Sequence, residues 1–335
     1  MNADIAALTP GRIPAWLVRQ GLTADPARVT ARELPGGVSS LAFWVERPEG
    51  PLVLKQARAR LAVAMEWRAD VRRIVREAEA MQWLHARIGP PAIPRLVHLD
   101  REALILAMEA IPPPAENYKA VLLGGAADAA PAARVGALLA EIHNRTADAA
   151  TRAAFGDATF FEQLRMSPYY DTVAERRPDL AGVLGELRRE CMEDTWCLVH
   201  GDYSAKNVLL RDGQPVLLDY EVAHFGNPCF DLGFVLPDYL CMALNWPERG
   251  RAYLAAARAL WDAYRGAIRL PPESRARAGH HLAAVWLARV DGKSPFEYFT
   301  DEDRRHVVRR IAGAALLEPH TGISSLIRAV EAELP

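Results

Sequence analysis

The sequence predicts an α+β protein with two lobes, a smaller strand-rich N-terminal part and a larger, mainly helical C-terminal part. Short apolar runs and one amphipathic helix fill roughly residues 30–110, and helical spacing dominates afterwards. The run Pro112-Pro113-Pro114 separates the two patterns, because proline lacks the amide hydrogen that a strand uses. The predicted domains are residues 1–112 and 113–335. With 335 residues, half of them apolar, the chain can bury a sizeable core in each part.

The N-terminal elements follow from local apolar patterns. Residues up to about 30 predict a short helical lead-in around Trp16, and alternating apolar residues predict a strand over 41–45. A second strand over 52–56, a helix over about 66–87 and a buried strand that runs from 103 into the prolines at 112–114 complete this part.

In the C-terminal part, apolar residues recur at helical spacing. Pro131 opens a helix on which Val135, Leu138 and Ile142 share one face, and His143 at its end has a structural role. Further amphipathic helices are predicted over about 179–193, 230–244, 247–268, 273–290, 301–317 and 323–333.

The segment between residues 198 and 221 carries the most informative chemistry. Asp202 is followed five residues later by Asn207 and seventeen residues later by Asp219. In phosphoryl transfer, one carboxylate orients the acceptor hydroxyl and accepts its proton, while a carboxamide and a second carboxylate hold the magnesium that bridges nucleotide phosphates. The spacing therefore predicts Asp202 as the catalytic residue and Asn207 and Asp219 as metal ligands.

A hairpin explains how these residues would meet. Two short apolar runs, 208–210 and 216–218, flank Asp212-Gly213, a pair typical of tight turns. The hairpin would bring Asn207, before its first strand, close to Asp219, after its second. If the strand continues, Glu221 lies on the same side as Asp219.

Each residue of this loop also has a purely structural interpretation. Asp and Asn at turns usually serve local backbone hydrogen bonds, and the functional interpretation depends on the whole spacing. The His200 ring would stiffen the loop by binding backbone, and Asp231 would cap the helix that it begins. Lys206 is either a phosphate clamp or a solvated loop lysine.

The segments HGDYSAKNVLL and LLDYEVAHFGNPCFDLGF resemble the aminoglycoside phosphotransferase and choline kinase-like superfamily, within the broad phosphotransferase-enzyme group that includes methylthioribose kinase-like members. The resemblance extends over roughly residues 30–300 and implies a protein kinase-like fold with a small antiparallel N-terminal sheet. It also implies that Asp231 supports the catalytic loop. Ala205-Lys206 departs from the Pro-Gly of many members, which affects the loop's shape more than its chemistry.

The ATP-binding part of the site is expected in the residues that precede the segment 198–221. Glycines let backbone amides approach phosphates, and the candidate loop is Gly36, Gly37, Val38, Ser39 and Ser40. Lys55 ends the next strand and is predicted to bind phosphate oxygens while a carboxylate holds its ammonium. Glu77 and Glu79 lie on the following helix, and Glu77 shares the apolar face, so Glu77 is the predicted partner. The resemblance implies a glutamate there too.

The strand that ends before the prolines predicts the adenine-binding connection. Free backbone groups at such a point can hydrogen-bond an adenine edge, and the candidates are Met108, Glu109 and Ile111. The alternative is a plain linker.

Composition excludes several function classes. The net charge of −2 and the lack of a basic run argue against nucleic acid as a partner. No leader-like or membrane-spanning run occurs, so a soluble cytoplasmic protein, monomeric or homodimeric, is expected. The four cysteines show no metal spacing and are expected to be reduced and buried.

The sequence thus predicts a Mg²⁺-dependent kinase that transfers the ATP γ-phosphoryl group to a hydroxyl of a small metabolite. A protein acceptor is disfavoured because Gly201 replaces the arginine of protein kinases and because the stretch from Asp219 to the helix near Phe230 is short. An aminoglycoside or other antibiotic is the second acceptor class, and a catalytically silent nucleotide-binding module is the alternative from another class. Candidate acceptor contacts are Asp238, Tyr239, Trp246, Arg289, Asp291, Lys293 and Tyr298. The segment 288–295 is also consistent with a simple turn between helices.

Overall fold

The computed structural model describes residues 7–35, 40–58 and 69–335. The chain divides into two compact units, Met1–Ala115 and Glu116–Pro335. The predicted α+β class is confirmed, since the first unit contains an antiparallel sheet and the second is mainly helical. Among the described residues, no helix combines the length and the apolar character needed to cross a membrane.

A five-stranded antiparallel sheet forms the centre of the first unit. Its strands are Thr30–Glu33 (β1), Ser40–Glu46 (β2), Leu52–Ala57 (β3), Leu96–Asp100 (β4) and Ile105–Glu109 (β5). The order across the sheet is β1-β2-β3-β5-β4. The strand β3 therefore lies in the middle, which fixes the side chain of Lys55 within a buried strand.

The lead-in helix Ile13–Arg19 covers part of this sheet. Ile13, Trp16 and Leu17 join the buried cluster that contains Phe43. Trp16 also donates from its indole nitrogen to Asp100 Oδ2 at 2.9 Å, which satisfies the polar edge of an otherwise apolar ring.

The second helix of the first unit is shorter than predicted. It spans Arg73–Ile88, whereas the sequence pattern placed its beginning near residue 66. Residues 69–72 are described and lie outside the helix, and residues 59–68 lie outside the described part of the chain. The apolar face that carries Glu77 is as predicted, because Ala80, Met81 and Leu84 are buried on it.

The second unit is built mostly from helices. Its α-helices are Tyr118–Leu123, Ala129–Arg145, Ala149–Phe155, Thr159–Phe161, Thr172–Arg176, Ala181–Glu193, Cys229–Val235, Pro237–Asn245, Pro247–Ala267, Ala278–Asp291, Glu302–Leu317 and Ile323–Glu331. A π-helical segment, Glu162–Asp171, connects two of them and contains Pro168. The short strand Val208–Arg211 pairs with Glu116–Asn117 on one side and with Gln214–Leu217 on the other, and Cys197–Val199 pairs with His224–Gly226.

Three predicted helices differ in detail. The helix expected over 273–290 begins only at Ala278. The helix expected over 230–244 is divided in two at Pro237, because a proline inside a helix removes one hydrogen bond and clashes with the preceding turn. The helix expected to open at Pro131 begins two residues earlier, at Ala129, since proline is tolerated within the first helical turn.

The hairpin that precedes Asp219 has the predicted turn. Asp212 and Gly213 both have positive φ, 52° and 72°, as a two-residue type I′ turn requires. Val208 pairs with Leu217, and the Leu218 amide donates to Asn207 O at 2.9 Å. These bonds place Asn207 beside the residue that precedes Asp219.

Candidate active site

The side chain of Asp231 holds the backbone of the loop that carries Asp202. The carboxylate of Asp231 is fully buried and accepts the His200 amide at Oδ2 and the Gly201 amide at Oδ1, each at 2.8 Å. His143 Nε2 lies 3.3 Å from the same Oδ2. Asp231 therefore supports the loop, as the resemblance implied, and the expected helix cap is wrong. His143 is structural, as predicted.

Glycine is required at position 201 by the backbone. Gly201 has φ +75°, and a Cβ atom there would lie 2.8 Å from Val222 Cγ2. Any other residue would be strained at this position, because the left-handed backbone conformation disfavours a side chain and the space is too narrow for a Cβ atom. The His-Gly-Asp sequence thus turns the chain sharply before the catalytic candidate.

His200 stiffens the loop as the sequence predicted. Its Nδ1 accepts the Asp202 amide at 3.1 Å, and its Nε2 lies 3.1 Å from Leu218 O. The ring is therefore neutral with its proton on Nε2. Burial lowers the pKa of His200, although the charge of Asp231 acts in the opposite direction.

One amide donor and two cations surround the side chain of Asp202, which is 2% exposed. Asn207 Nδ2 donates to Oδ2 at 2.8 Å, Lys206 Nζ lies 2.9 Å from Oδ2, and Arg165 Nη2 lies 3.0 Å from Oδ1. Arg165 also donates from Nε to Gly201 O at 2.6 Å. The carboxylate is thus fixed in one orientation by its neighbours.

These contacts keep Asp202 ionised. Burial alone would raise the pKa of its carboxyl, but the positive charges of Arg165 and Lys206 outweigh burial and hold the pKa well below its ordinary value. Such a carboxylate is a weak base toward an unreacted hydroxyl. It can orient that hydroxyl and accept its proton late, when the oxygen has become acidic through bond formation to phosphorus.

Asn207 and Asp219 offer oxygen atoms for a cation. Since the amide nitrogen of Asn207 is occupied by Asp202, its amide oxygen is the atom left for another ligand. Asp219 is half-buried and has φ 71°, an uncommon backbone conformation for an aspartate. Among the described residues, no three His, Cys, Asp or Glu side chains form a metal-binding group. Two protein oxygens nevertheless fit Mg²⁺, which in phosphotransfer sites takes its other ligands from phosphates and water.

In the first unit, Lys55 and Glu77 form a buried ion pair. Lys55 Nζ lies 2.6 Å from Glu77 Oε1, and the side chains are 11% and 0% exposed. Glu79, the alternative carboxylate, is instead on the exposed side and pairs with Arg101 at 2.9 Å. The pair holds an ammonium group at the centre of the sheet, and its phosphate-binding role stays a prediction.

The rest of the expected nucleotide site is only partly described. Gly36, Gly37, Val38 and Ser39 lie outside the described residues. Ser40 begins β2 and is 3% exposed.

The expected adenine connection lies at the end of β5. Met108 lies within β5 and pairs with Val53. The Glu109 amide donates to Arg95 O at 2.9 Å, so this donor is used within the sheet and is not available to adenine. Ile111 lies half-buried past the strand end, and its role in adenine binding stays a prediction.

Arg165 was not found by sequence reasoning. It lies in the π-helical segment, 36 residues before Gly201, and no local pattern marks it. Its burial among aromatic residues is the feature that distinguishes it, and that burial cannot be recognised from the sequence.

Some of the candidate acceptor residues contact one another, and the others are engaged in separate contacts. Tyr298 donates to Asp238 Oδ1 at 3.2 Å and stacks on Trp246 with ring centres 5.7 Å apart. Asp291 instead pairs with Arg309 at 2.8 Å, which accounts for its charge. The amide of Lys293 donates to Pro168 O, and Tyr239 donates to Tyr118. The helix ends at Asp291, so the turn interpretation applies to residues 292–295.

Comparison with known proteins identifies the family. The model of the phosphotransferase enzyme family matches residues 30–267. The chain belongs to the phosphotransferase enzyme family. The resemblance inferred from the catalytic segment is thereby confirmed. Methylthioribose kinase 2 from Oryza sativa subsp. japonica, a curated relative, is 24% identical over 256 residues, which is 67% of this chain and 58% of the relative. The chain thus spans less than two thirds of that relative.

Solved structures of this kind share the fold. A choline/ethanolamine kinase family protein from Mesorhizobium loti has a TM-score of 0.54 at 17% identity, covering 95% of this chain and 99% of that chain. The amicoumacin kinase hAmiN, solved with AMP-PNP, Ca²⁺ and Ami, has a TM-score of 0.54 at 14% identity, covering 96% of this chain and 94% of that chain. These likenesses confirm the predicted kinase-like fold of this phosphotransferase-family chain.

Proposed function

We propose that the protein transfers the γ-phosphoryl group of ATP to a hydroxyl of a small molecule. The observation that carries this proposal is the setting of Asp202, a buried carboxylate held ionised and oriented by Arg165, Lys206 and Asn207. Membership of the phosphotransferase enzyme family supports the reaction class.

Each residue has a defined task in the proposed reaction. Lys55, steadied by Glu77, binds phosphate oxygens of the nucleotide. Asp202 orients the acceptor hydroxyl and takes its proton as the new bond to phosphorus forms. Asn207 and Asp219 would hold magnesium, which supplies neutralisation of phosphate charge when bound. Orientation and charge compensation account for most of the expected rate enhancement.

ADP formation against a panel of hydroxylated compounds tests this proposal. The panel contains sugars, amino alcohols, nucleosides and aminoglycosides, each assayed with ATP in the presence of Mg²⁺ or EDTA. Acceptor-dependent, Mg²⁺-dependent turnover is expected. Asp202→Asn should lower kcat by about 10² to 10⁴-fold, the usual contribution of a general base, while ATP still binds.

The control variant is Asp148→Asn, which lies at the N-terminal cap of the helix Ala149–Phe155. Asparagine caps a helix as well as aspartate does, so this variant should keep full activity. Nucleotide affinity without acceptor-dependent turnover for any compound would support the silent module. Turnover confined to aminoglycosides would assign the antibiotic acceptor class instead of a metabolite.

A further inference from the structure

Cations and aromatic rings alternate through the second unit. The guanidinium carbons of Arg165 and Arg289 lie 5.2 and 4.6 Å from the centre of the Phe234 ring. Arg289 also lies 4.9 Å from the Phe296 ring, and Lys119 Nζ lies 4.8 Å from that same ring. Two aromatic rings therefore hold three positive charges near one another through cation–π contacts.

The outer two cations have carboxylate partners and the central one does not. Arg165 lies 3.0 Å from Asp202, and Lys119 lies 3.5 Å from Asp238. No carboxylate of the described residues lies within ion-pair distance of Arg289. Its Nη1 donates to Ser294 O at 3.2 Å and to Ser294 Oγ at 3.3 Å, while its buried Nε has no acceptor.

Burial makes the lack of a carboxylate partner for Arg289 energetically unfavourable. Arg289 is 7% exposed, and arginine does not lose its proton in proteins. A buried charge without a partner is strongly unfavourable, so such groups are normally paired. Since Nη1 is the nitrogen bound to Ser294, the edge that contains Nε remains for a ligand. That edge of a guanidinium suits the two oxygens of a carboxylate or phosphate.

Arg289 also lies within electrostatic reach of the catalytic candidate. Arg165 and Arg289 contact the same Phe234 ring, and Arg165 lies 3.0 Å from Asp202. A ligand group bound to Arg289 would therefore belong to a molecule near Asp202. The charge of Lys119 over Phe296 and Tyr298 disfavours a cationic group at the same place.

We infer that Arg289 is the anion-binding residue of the acceptor site and that the acceptor carries a carboxylate or phosphate group besides the hydroxyl that is phosphorylated. The inference rests on the proposed function. It assigns the acceptor class from the chemistry of one unpaired guanidinium and its aromatic surroundings.

Thermal unfolding of the full chain tests the anion site without any turnover. The probes are matched pairs, gluconate with glucose and glycerate with glycerol, together with glycerol 3-phosphate for the phosphate class. The variants are Arg289→Met, Arg289→Lys and a control at the exposed Arg251, Arg251→Met. Methionine has a similar length and removes the charge.

The wild type should show a rise in Tm with at least one anionic probe and none with its neutral partner. Arg289→Met should lose that rise, Arg289→Lys should keep part of it, and Arg251→Met should behave as wild type. A wild type that no anionic probe stabilises, or an Arg289→Met variant that keeps the rise, overturns the inference. Carboxylate and phosphate probes separate the two sources of the anion.

Turnover then separates this inference from the proposed function. With an anionic acceptor, Arg289→Met should raise the KM for the acceptor about 10- to 100-fold, as loss of a charge-assisted hydrogen bond predicts, and leave the KM for ATP unchanged. Turnover on neutral acceptors that Arg289→Met does not affect would refute the anion site and leave the kinase proposal intact. An anion-induced Tm rise without turnover on any acceptor would refute the kinase proposal and retain the anion site.

Discussion

Replacement of Asp231 by asparagine is the sharpest test of how the loop that carries Asp202 is held. Both carboxylate oxygens of Asp231 accept backbone amides, from His200 and from Gly201, at 2.8 Å. Asparagine has nearly the same shape but offers one acceptor oxygen and one NH₂ group. One loop amide would then face a donor instead of an acceptor.

The magnitude follows from the bonds lost. A hydrogen bond to a charged group contributes about 1.5 to 3 kcal/mol, and a buried donor without a partner adds a penalty of similar size. Relaxation of the loop would recover part of that penalty. We therefore expect Asp231→Asn to lower the free energy of unfolding by about 2 to 4 kcal/mol.

Urea unfolding followed by fluorescence measures the stability, and ADP release with a saturating acceptor measures the activity. Because the loop carries Asp202, kcat should fall while the KM for ATP changes little. Asp148→Asn is the matched control and should stay within about 0.5 kcal/mol of wild type. An Asp231→Asn protein with unchanged stability and unchanged kcat would refute the idea that these two bonds position the loop.

Three further predictions concern buried charges and thiols. Glu77→Gln should lower the free energy of unfolding by about 3 kcal/mol and raise the KM for ATP, because the ammonium of Lys55 loses the charge of the Glu77 carboxylate; an unchanged urea midpoint and an unchanged KM would contradict this. Arg165→Met should move the acid limb of the kcat/KM profile to higher pH, because the proposed role of Asp202 requires its ionised form and Asp202 loses a cation that lowers its pKa; an unmoved limb would refute that role. All four cysteines are buried and burial raises the pKa of each thiol, so thiol reagents should react quickly after unfolding in urea and slowly before it. Equal rates in both conditions would refute this burial.

The sequence was sufficient where chemistry and geometry are local. The turn at Asp212-Gly213 fixes the hairpin, and the hairpin fixes Asn207 close to Asp219. The Lys55–Glu77 ion pair could be predicted because helical periodicity identified the buried face of the helix that carries Glu77. In each case a few neighbouring residues determine the outcome, so the pattern contains the necessary information.

Contacts between residues that are far apart in the sequence could not be predicted from local patterns. Asp231 begins a helix in the sequence and was therefore interpreted as a cap, yet its oxygens bind amides 30 and 31 residues away. The division of the predicted helix over 230–244 at Pro237 is a local effect that the apolar pattern concealed. Arg165 has no sequence signature, since its importance depends on which distant backbone and carboxylate it meets.

The two arginines on Phe234 show why identical residue types can have different functions in one site. Arg165 and Arg289 contact the same ring and are both more than nine-tenths buried. The charge of Arg165 is balanced by Asp202, so its effect is on the ionisation and orientation of that carboxylate. The charge of Arg289 is not balanced by the described residues, so its effect must be on a molecule that binds. A single shared ring would then fix the distance between the group that receives the acceptor's proton and the group that recognises the acceptor's charge, and acceptors whose hydroxyl and anion match that distance would be selected.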